Sequence, residues 1–233
     1  MTKADAGRVL VVDDESQILR ALTLNLEALG FDVSAAGNGP EALRRAAELR
    51  PDAVILDLGL PGMDGVEVIR GLRGWTQVPI IVLSVREGER EKITALEAGA
   101  DDYVTKPFGM GELVARLRAA LRRSSRNDDS APHLRTEDFT IDLSAKRVTT
   151  PEGSEIRLTP TEWGIVEVLA AHPGKLITQV QLLKAVWGPD YGQETNYLRV
   201  FMAQIRRKLE PEPSLPRYFI TEPGMGYRLE VDT

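Results

Sequence analysis

Ala53-Val54-Ile55-Leu56-Asp57-Leu58-Gly59-Leu60-Pro61-Gly62-Met63-Asp64-Gly65 is the stretch on which the fold turns. The short, β-branched apolar run from Ala53 to Leu56 has the length of a strand rather than a helix, and its unbroken hydrophobicity suits a strand buried on both faces. An acid follows at once, then a loop marked by Gly59, Pro61 and Gly62, then helical periodicity from Gly65 to Leu72. The same grammar recurs on either side. Apolar runs at Val9 to Val12, Phe31 to Ala35, Pro79 to Leu83 and Tyr103 to Val104 alternate with helical segments at Gln17 to Leu29, Pro40 to Leu49, Glu89 to Glu97 and Gly111 to Arg123. Five strands alternating with five helices predict an α/β fold, a five-stranded parallel, doubly wound (flavodoxin-like) sheet.

Beyond Arg123 the text changes to Ser124-Ser-Arg-Asn-Asp-Asp-Ser-Ala-Pro132, polar and without apolar period, which reads as a flexible linker. The division is therefore a first domain over 1–123, a linker over 124–133 and a second domain over 134–233. In the second, Phe139 to Leu143, Arg147 to Thr149 and Glu155 to Leu158 read as short strands. Thr159 before Pro160, with Glu162 three residues on, is a helix start signal, and His172-Pro-Gly ends that helix. Helices are expected at Gln179 to Val186 and at about Glu194 to Leu209, and Tyr218 to Thr221 with Tyr227 to Val231 reads as a hairpin around Pro223-Gly-Met-Gly226. Three helices with flanking strands predict an α+β winged helix-turn-helix.

Composition removes several function classes. Without cysteine there is no disulfide, thiol nucleophile or cysteine-bound metal. The first residues lack a signal-peptide core and no apolar run approaches the roughly 20 residues of a membrane span, so a cytoplasmic protein with no membrane partner is expected. The net charge is −6, shared as −3 on each side of residue 124, so any contact with DNA has to be local rather than generic.

In open parallel sheets, ligands bind outside the carboxyl ends of the strands. Asp13 and Asp14 follow the first strand, Asp57 the third, Ser84 the fourth and Lys106 the fifth, so all five are expected on one edge. Each acid alone reads as a turn former or helix cap, but together they suit a hard cation such as Mg²⁺. With charge neutralised, Asp57 is placed to attack a phosphoryl donor in line, while Lys106 holds a phosphoryl oxygen and the Ser84 hydroxyl donates to the same group. That describes a phosphoacceptor switch rather than a turnover enzyme.

Asp13-Asp14, the segment Asp57 to Gly65, Ser84 and Gly99-Ala-Asp-Asp-Tyr-Val-Thr-Lys-Pro-Phe108 resemble receiver domains of two-component response regulators. The resemblance implies a sensor histidine kinase as phosphodonor. It also implies Mg²⁺ held by Asp13, Asp14, Asp57 and the main-chain carbonyl of Gly59, a switch made by Ser84 and Tyr103, and a cis bond between Lys106 and Pro107. It further implies a phosphorylation-dependent homodimer in which Lys92 faces Glu112, Asp102 faces Arg116 and Glu97 faces Arg118 across subunits. The plain alternative for these charges is a solvated helix face.

In the second domain, Leu198, Met202, Ile205 and Leu209 form an apolar stripe at helical spacing, leaving Arg199, Arg206, Arg207 and Lys208 on a basic face with no acid among residues 195–209. Leu158-Thr-Pro-Thr-Glu-Trp163, Leu182-Leu-Lys-Ala-Val-Trp-Gly188 and Gly224-Met-Gly-Tyr-Arg-Leu229 resemble the winged-helix effector of the OmpR/PhoB class. This implies double-stranded promoter DNA as ligand, with RNA polymerase as a further partner. Trp187, Asn196 and Tyr197 are placed at phosphates, and Gln204 and Arg206 in the major groove. Pro223 stands where many relatives have a wing arginine. Thr221-Glu-Pro-Gly-Met-Gly-Tyr227, Tyr197-Leu-Arg-Val-Phe and Arg206-Arg-Lys-Leu-Glu-Pro211 are most similar to potassium-responsive Kdp-type regulators. A regulator of the same subfamily with a different regulon is the alternative within the class, and two other readings lie outside it. A haloacid-dehalogenase-type phosphatase wants a second acid where Gly59 stands, and a receiver-based scaffold without DNA binding shows no salt-sensitive DNA affinity.

Overall fold

The computed structural model describes residues 6–85, 88–125 and 133–231. Its first part runs β1 (Arg8–Val12), α1 (Ser16–Ala28), β2 (Asp32–Ala36), α2 (Gly39–Leu49), β3 (Ala53–Asp57), α3 (Gly65–Arg73), β4 (Ile80–Ser84), α4 (Glu89–Glu97), β5 (Asp102–Thr105) and α5 (Met110–Ser125). The strands pair in parallel in the order β2-β1-β3-β4-β5. Every residue of β3 and β4 is buried, as their unbroken apolar runs require, whereas the edge strand β2 is only partly covered. Side chains alternate between faces: Val9, Val11, Ile55, Ile81, Leu83 and Val104 pack with Leu22, Leu26, Leu113 and Leu117 of α1 and α5.

Local chemistry sets the helix ends. The Asn38 side chain caps α2 by accepting from the Glu41 N–H, and Asp64 and Glu67 form a reciprocal capping box on α3. Gly65 is where α3 meets the end of β3: a Cβ there would lie 2.5 Å from the Asp57 carbonyl oxygen and 2.6 Å from Leu58 Cα.

The second part holds β6 (His133–Arg135), β7 (Thr140–Asp142), β8 (Arg147–Thr149), β9 (Glu155–Ile156), α6 (Pro160–Ala170), β10 (Ile177–Thr178), α7 (Gln179–Val186), α8 (Thr195–Leu209), β11 (Phe219–Glu222) and β12 (Gly226–Leu229). An antiparallel four-stranded sheet, β6-β7-β8-β9, precedes the helices, and a three-stranded sheet, β10-β12-β11, carries the terminal hairpin. The expected stripe of α8, Leu198, Met202, Ile205 and Leu209, is buried throughout. Thr159 and Glu162 close the capping box read from the sequence, and the buried Glu162 carboxylate also takes the Lys208 ammonium at 2.6 Å.

Two strands have no sequence signal, β6 and β10, because runs of two or three residues are too short to show a period. Of the predicted linker, residues 126–132 lie outside the described residues, while Ser124 and Ser125 extend α5 and His133 opens β6. No Pro or Gly stands at 124 or 125 to stop the helix. The chain divides into two compact units, Met1–Leu121 and Arg122–Thr233.

Candidate functional site

The strand order places β1 beside both β2 and β3, so the sheet changes direction of winding between β1 and β3. That is the point at which such sheets open a crevice at their carboxyl ends. Asp13 directly follows β1 and Asp57 is the last residue of β3, so the two carboxylates flank the crevice. Both are buried, at 1% and 7% exposure. Lys106 follows β5, its N–H donates to the Ser84 carbonyl at 2.8 Å, and the Lys106–Pro107 peptide is cis. The Lys106 ammonium reaches back across the sheet edge to Asp13 Oδ2 at 2.8 Å and Asp57 Oδ1 at 2.9 Å. Burial works against the lysine charge, but the hydrogen bonds and charges of Asp13 and Asp57 outweigh it and hold its pKa above the ordinary lysine value. Asp13 Oδ1 accepts from the Glu15 N–H at 2.9 Å, and Asp57 Oδ2 accepts from the Gly59 N–H at 2.5 Å. The site thus has two carboxylates held by main-chain donors, each with an oxygen on one shared cation.

Of the five residues expected together, Asp13, Asp57 and Lys106 meet directly. Ser84 is buried at the end of β4, and Asp14 is exposed. Among the described residues no group of three or more His, Cys, Asp or Glu side chains is gathered closely enough to hold a metal ion. The expected three-carboxylate cluster is therefore, in this structure, a two-carboxylate pair on Lys106. The Gly59 N–H as a partner of Asp57 has no signal in the sequence, because every non-proline residue carries the same main-chain donor.

Tyr103 is buried at 3% exposure, and the Lys92 ammonium lies 5.8 Å from its ring centroid, a cation–π contact. The charges expected to pair across subunits include three already paired within the chain. Arg116 binds Asp102 at 3.2 Å and Glu112 at 2.7 Å. Asp102 ends up almost fully buried, while Glu97 and Arg118 are exposed.

On α8 the structure redraws the basic face. Arg199 and Arg207 are exposed and Asn196 is half-buried, with the Arg199 guanidinium at 3.5 Å from its side-chain oxygen. Gln204, expected in the major groove, is buried at 8% exposure. Trp187 and Tyr197, expected at phosphates, are buried at 2% and 8%, and Trp187 packs against Tyr191, Tyr197 and Phe201. The reason is size: large aromatic surfaces are worth more in the core than at a solvated rim. Arg206 is half-buried and donates from Nε to the Phe219 carbonyl at 2.9 Å and from Nη2 to Thr221 Oγ1 at 2.7 Å. Burial lowers its pKa, which the nearby Tyr227 and Glu210 partly offset. In the hairpin, Arg228 is paired with Glu222 and Glu230.

A doubly wound sheet with an acid pair and a lysine at its switch point, joined to a winged helix, defines a two-component response regulator with a receiver and a DNA-binding domain. Residues 9–118 match the response regulator receiver domain, and residues 153–229 match the transcriptional regulatory protein C-terminal domain. The chain belongs to the OmpR/PhoB-type response regulators. It is 57% identical to the transcriptional regulatory protein KdpE of Mycobacterium tuberculosis, over 96% of this chain and 99% of that one. It is 50% identical to the KDP operon transcriptional regulatory protein KdpE of Escherichia coli, over 94% and 97%. Among solved structures, the C128D mutant of RitR superposes with a TM-score of 0.77 at 26% identity, over 97% of this chain and 99% of that one.

Proposed function

We propose that Asp57 accepts a phosphoryl group from a sensor histidine kinase and that the modified receiver dimerises and controls promoter binding by the winged-helix domain. The observation that carries this reading is the shared cation: Asp57 Oδ1 lies 2.9 Å from an ammonium that also holds Asp13. In the acceptor step an Asp57 oxygen attacks phosphorus in line as the donor's phosphorus–nitrogen bond breaks. Lys106 then exchanges its bond to Asp57 for a phosphoryl oxygen, and the Ser84 hydroxyl donates to the same group. The step leaves Asp57 as an acyl phosphate and Asp13 unmodified beside it, so the chain ends the step as the phosphorylated acceptor.

The oxygen donors suit Mg²⁺, since Asp13 and Asp57 already converge on one positive charge. Asp13, Asp14, Asp57 and the Gly59 carbonyl would hold it. When bound, the ion supplies charge neutralisation at the phosphoryl oxygens.

The exposed cations of α8, Arg199 with Asn196 beside it and Arg207, support contact with DNA phosphates and base edges. Similarity to two KdpE proteins, one named for the KDP operon, supports the operon for high-affinity potassium transport as target. Action on promoter DNA places the protein in the cytoplasm, with RNA polymerase as a further partner. Fluorescence anisotropy with DNA from upstream of a potassium-pump operon tests the reading, with and without Mg²⁺ and beryllofluoride as phosphoryl mimic. Tighter, salt-sensitive binding with the mimic is expected, and Asp57→Ala removes the response. Specific binding only to other promoters moves the regulon, and no DNA binding in either state removes the effector role.

A further inference from the structure

The last turn and C-terminal cap of α8 are joined to the first strand of the hairpin by two side chains, Arg206 and Glu210. Arg206 donates through Nε and Nη2 to the carbonyl of Phe219, and through Nη2 to Thr221 Oγ1. Glu210, buried at 7% exposure, accepts from three successive main-chain N–H groups: Arg217 at 2.8 Å, Tyr218 at 3.0 Å and Phe219 at 2.7 Å. The Phe219 carbonyl therefore ends on Arg206 of α8, and its N–H on Glu210, the residue that caps the helix. Arg206 in the last turn and Glu210 at the cap, whose N–H closes on the Arg206 carbonyl, grip the strand at two points and fix its angle to the helix.

We infer that Arg206, with Glu210, is a positioning residue that holds the wing hairpin at a set angle to the recognition helix, and that it does not itself read a base. This rests on the DNA-binding reading above. An arginine reads guanine with a pair of N–H donors in a fixed fork. Here Nε and Nη2 are committed to Phe219 and Thr221, which leaves no complete fork. A hairpin held in place before binding loses less freedom when it docks, so the clamp contributes to affinity without touching DNA. Arg is suited to this because its planar guanidinium presents several donors in one rigid geometry, whereas a lysine supplies only a point charge.

The test begins with a fluorescent duplex selected from a randomised pool by the unchanged full-length protein, and a panel in which each base pair of that duplex is replaced singly. Arg206→Ala is expected to weaken binding by roughly tenfold, by the same factor for every member of the panel. Arg206→Lys is expected not to restore it, and Arg206→Ala combined with Thr221→Val to bind no more weakly than Arg206→Ala alone. Loss of discrimination at one base pair, recovery with lysine, or full additivity with Thr221→Val each overturns the clamp. Amide hydrogen exchange on the DNA-free protein decides the matter independently. Faster exchange confined to residues 217–222 and 226–229 in Arg206→Ala supports the clamp, and unchanged exchange there overturns it. If the unchanged protein selects no duplex, the DNA-binding reading falls while the exchange result still judges the clamp.

Discussion

Asp101 shows how much a single position can carry without any mark in the text. Its carboxylate is fully buried, and one oxygen takes both the Arg73 guanidinium at 2.7 Å and the Ile80 N–H at 2.9 Å. Arg73 reaches on to the carbonyls of Val78 and Gly99, so α3, β4 and the turn before β5 meet at one ion pair. Removing one member of a buried pair leaves the other charge uncompensated. Asp101→Ala is expected to cost about 3–5 kcal/mol of receiver stability, read as a lower urea midpoint for unfolding of the receiver. A midpoint equal to that of the unchanged protein would show the pair to be dispensable. In the sequence Asp101 stands beside Asp102 with nothing to separate them. One becomes a structural anchor and the other the partner of Arg116, a difference set by neighbours 28 and 14 residues away. Asp13, Asp57 and Lys106, by contrast, were legible because each sits at a strand end and the strand-end rule converts position into proximity.

At the scale of elements, helix starts were the most legible features, since a capping box needs only two residues three positions apart. The α6 box has a longer reach than its local role, because Glu162 also binds Lys208 at the far end of α8. Thr159→Ala is expected to lower effector-domain stability by about 1 kcal/mol, seen in thermal unfolding. Glu162→Ala is expected to cost more, since it also strands the lysine, and equal losses would mean that the Lys208 contact adds nothing. The start of α2 adds a pH effect. The Gly37 N–H, then Arg45, hold the Glu41 carboxyl below its usual pKa. A lowered folded-state value stabilises above the ordinary glutamate range and is lost as pH falls through the folded pKa. The gap in Tm between the unchanged protein and Glu41→Gln is thus expected to be full near neutral pH and to close on acidification below about 4.5. A gap independent of pH would assign the effect to something other than this charge. What local rules missed were β6 and β10, which exist only because a neighbouring strand offers them a ladder. Gly226 of β12 belongs to the same contact, since a Cβ there would overlap the Ile177 carbonyl oxygen.

For the whole molecule, a net charge of −6 argues against generic DNA affinity and for a local cationic contact, which we propose to be the exposed face of α8. Arg199→Ala and Arg207→Ala are each expected to make the slope of log affinity against log salt shallower by about 1 per half-site. Arg206→Ala is expected to leave that slope unchanged. If all three arginines alter the slope alike, the division of α8 into contacting and bracing cations fails. The order of the two bodies, the strand and helix alternation, and the acids at the strand ends were all determined by the sequence itself. They rest on periodicity, on start and stop signals and on residue order, each readable over a few residues. Only the tertiary structure decided which polar groups are spent inside the molecule. Lys106 on Asp13 and Asp57, Arg116 on Asp102, Arg206 on Phe219, and the burial of Trp187 and Gln204 all depend on elements far apart in the chain. A charge or a ring on a helix face looks the same in sequence whether water or another strand lies against it, and that distance is set by packing alone.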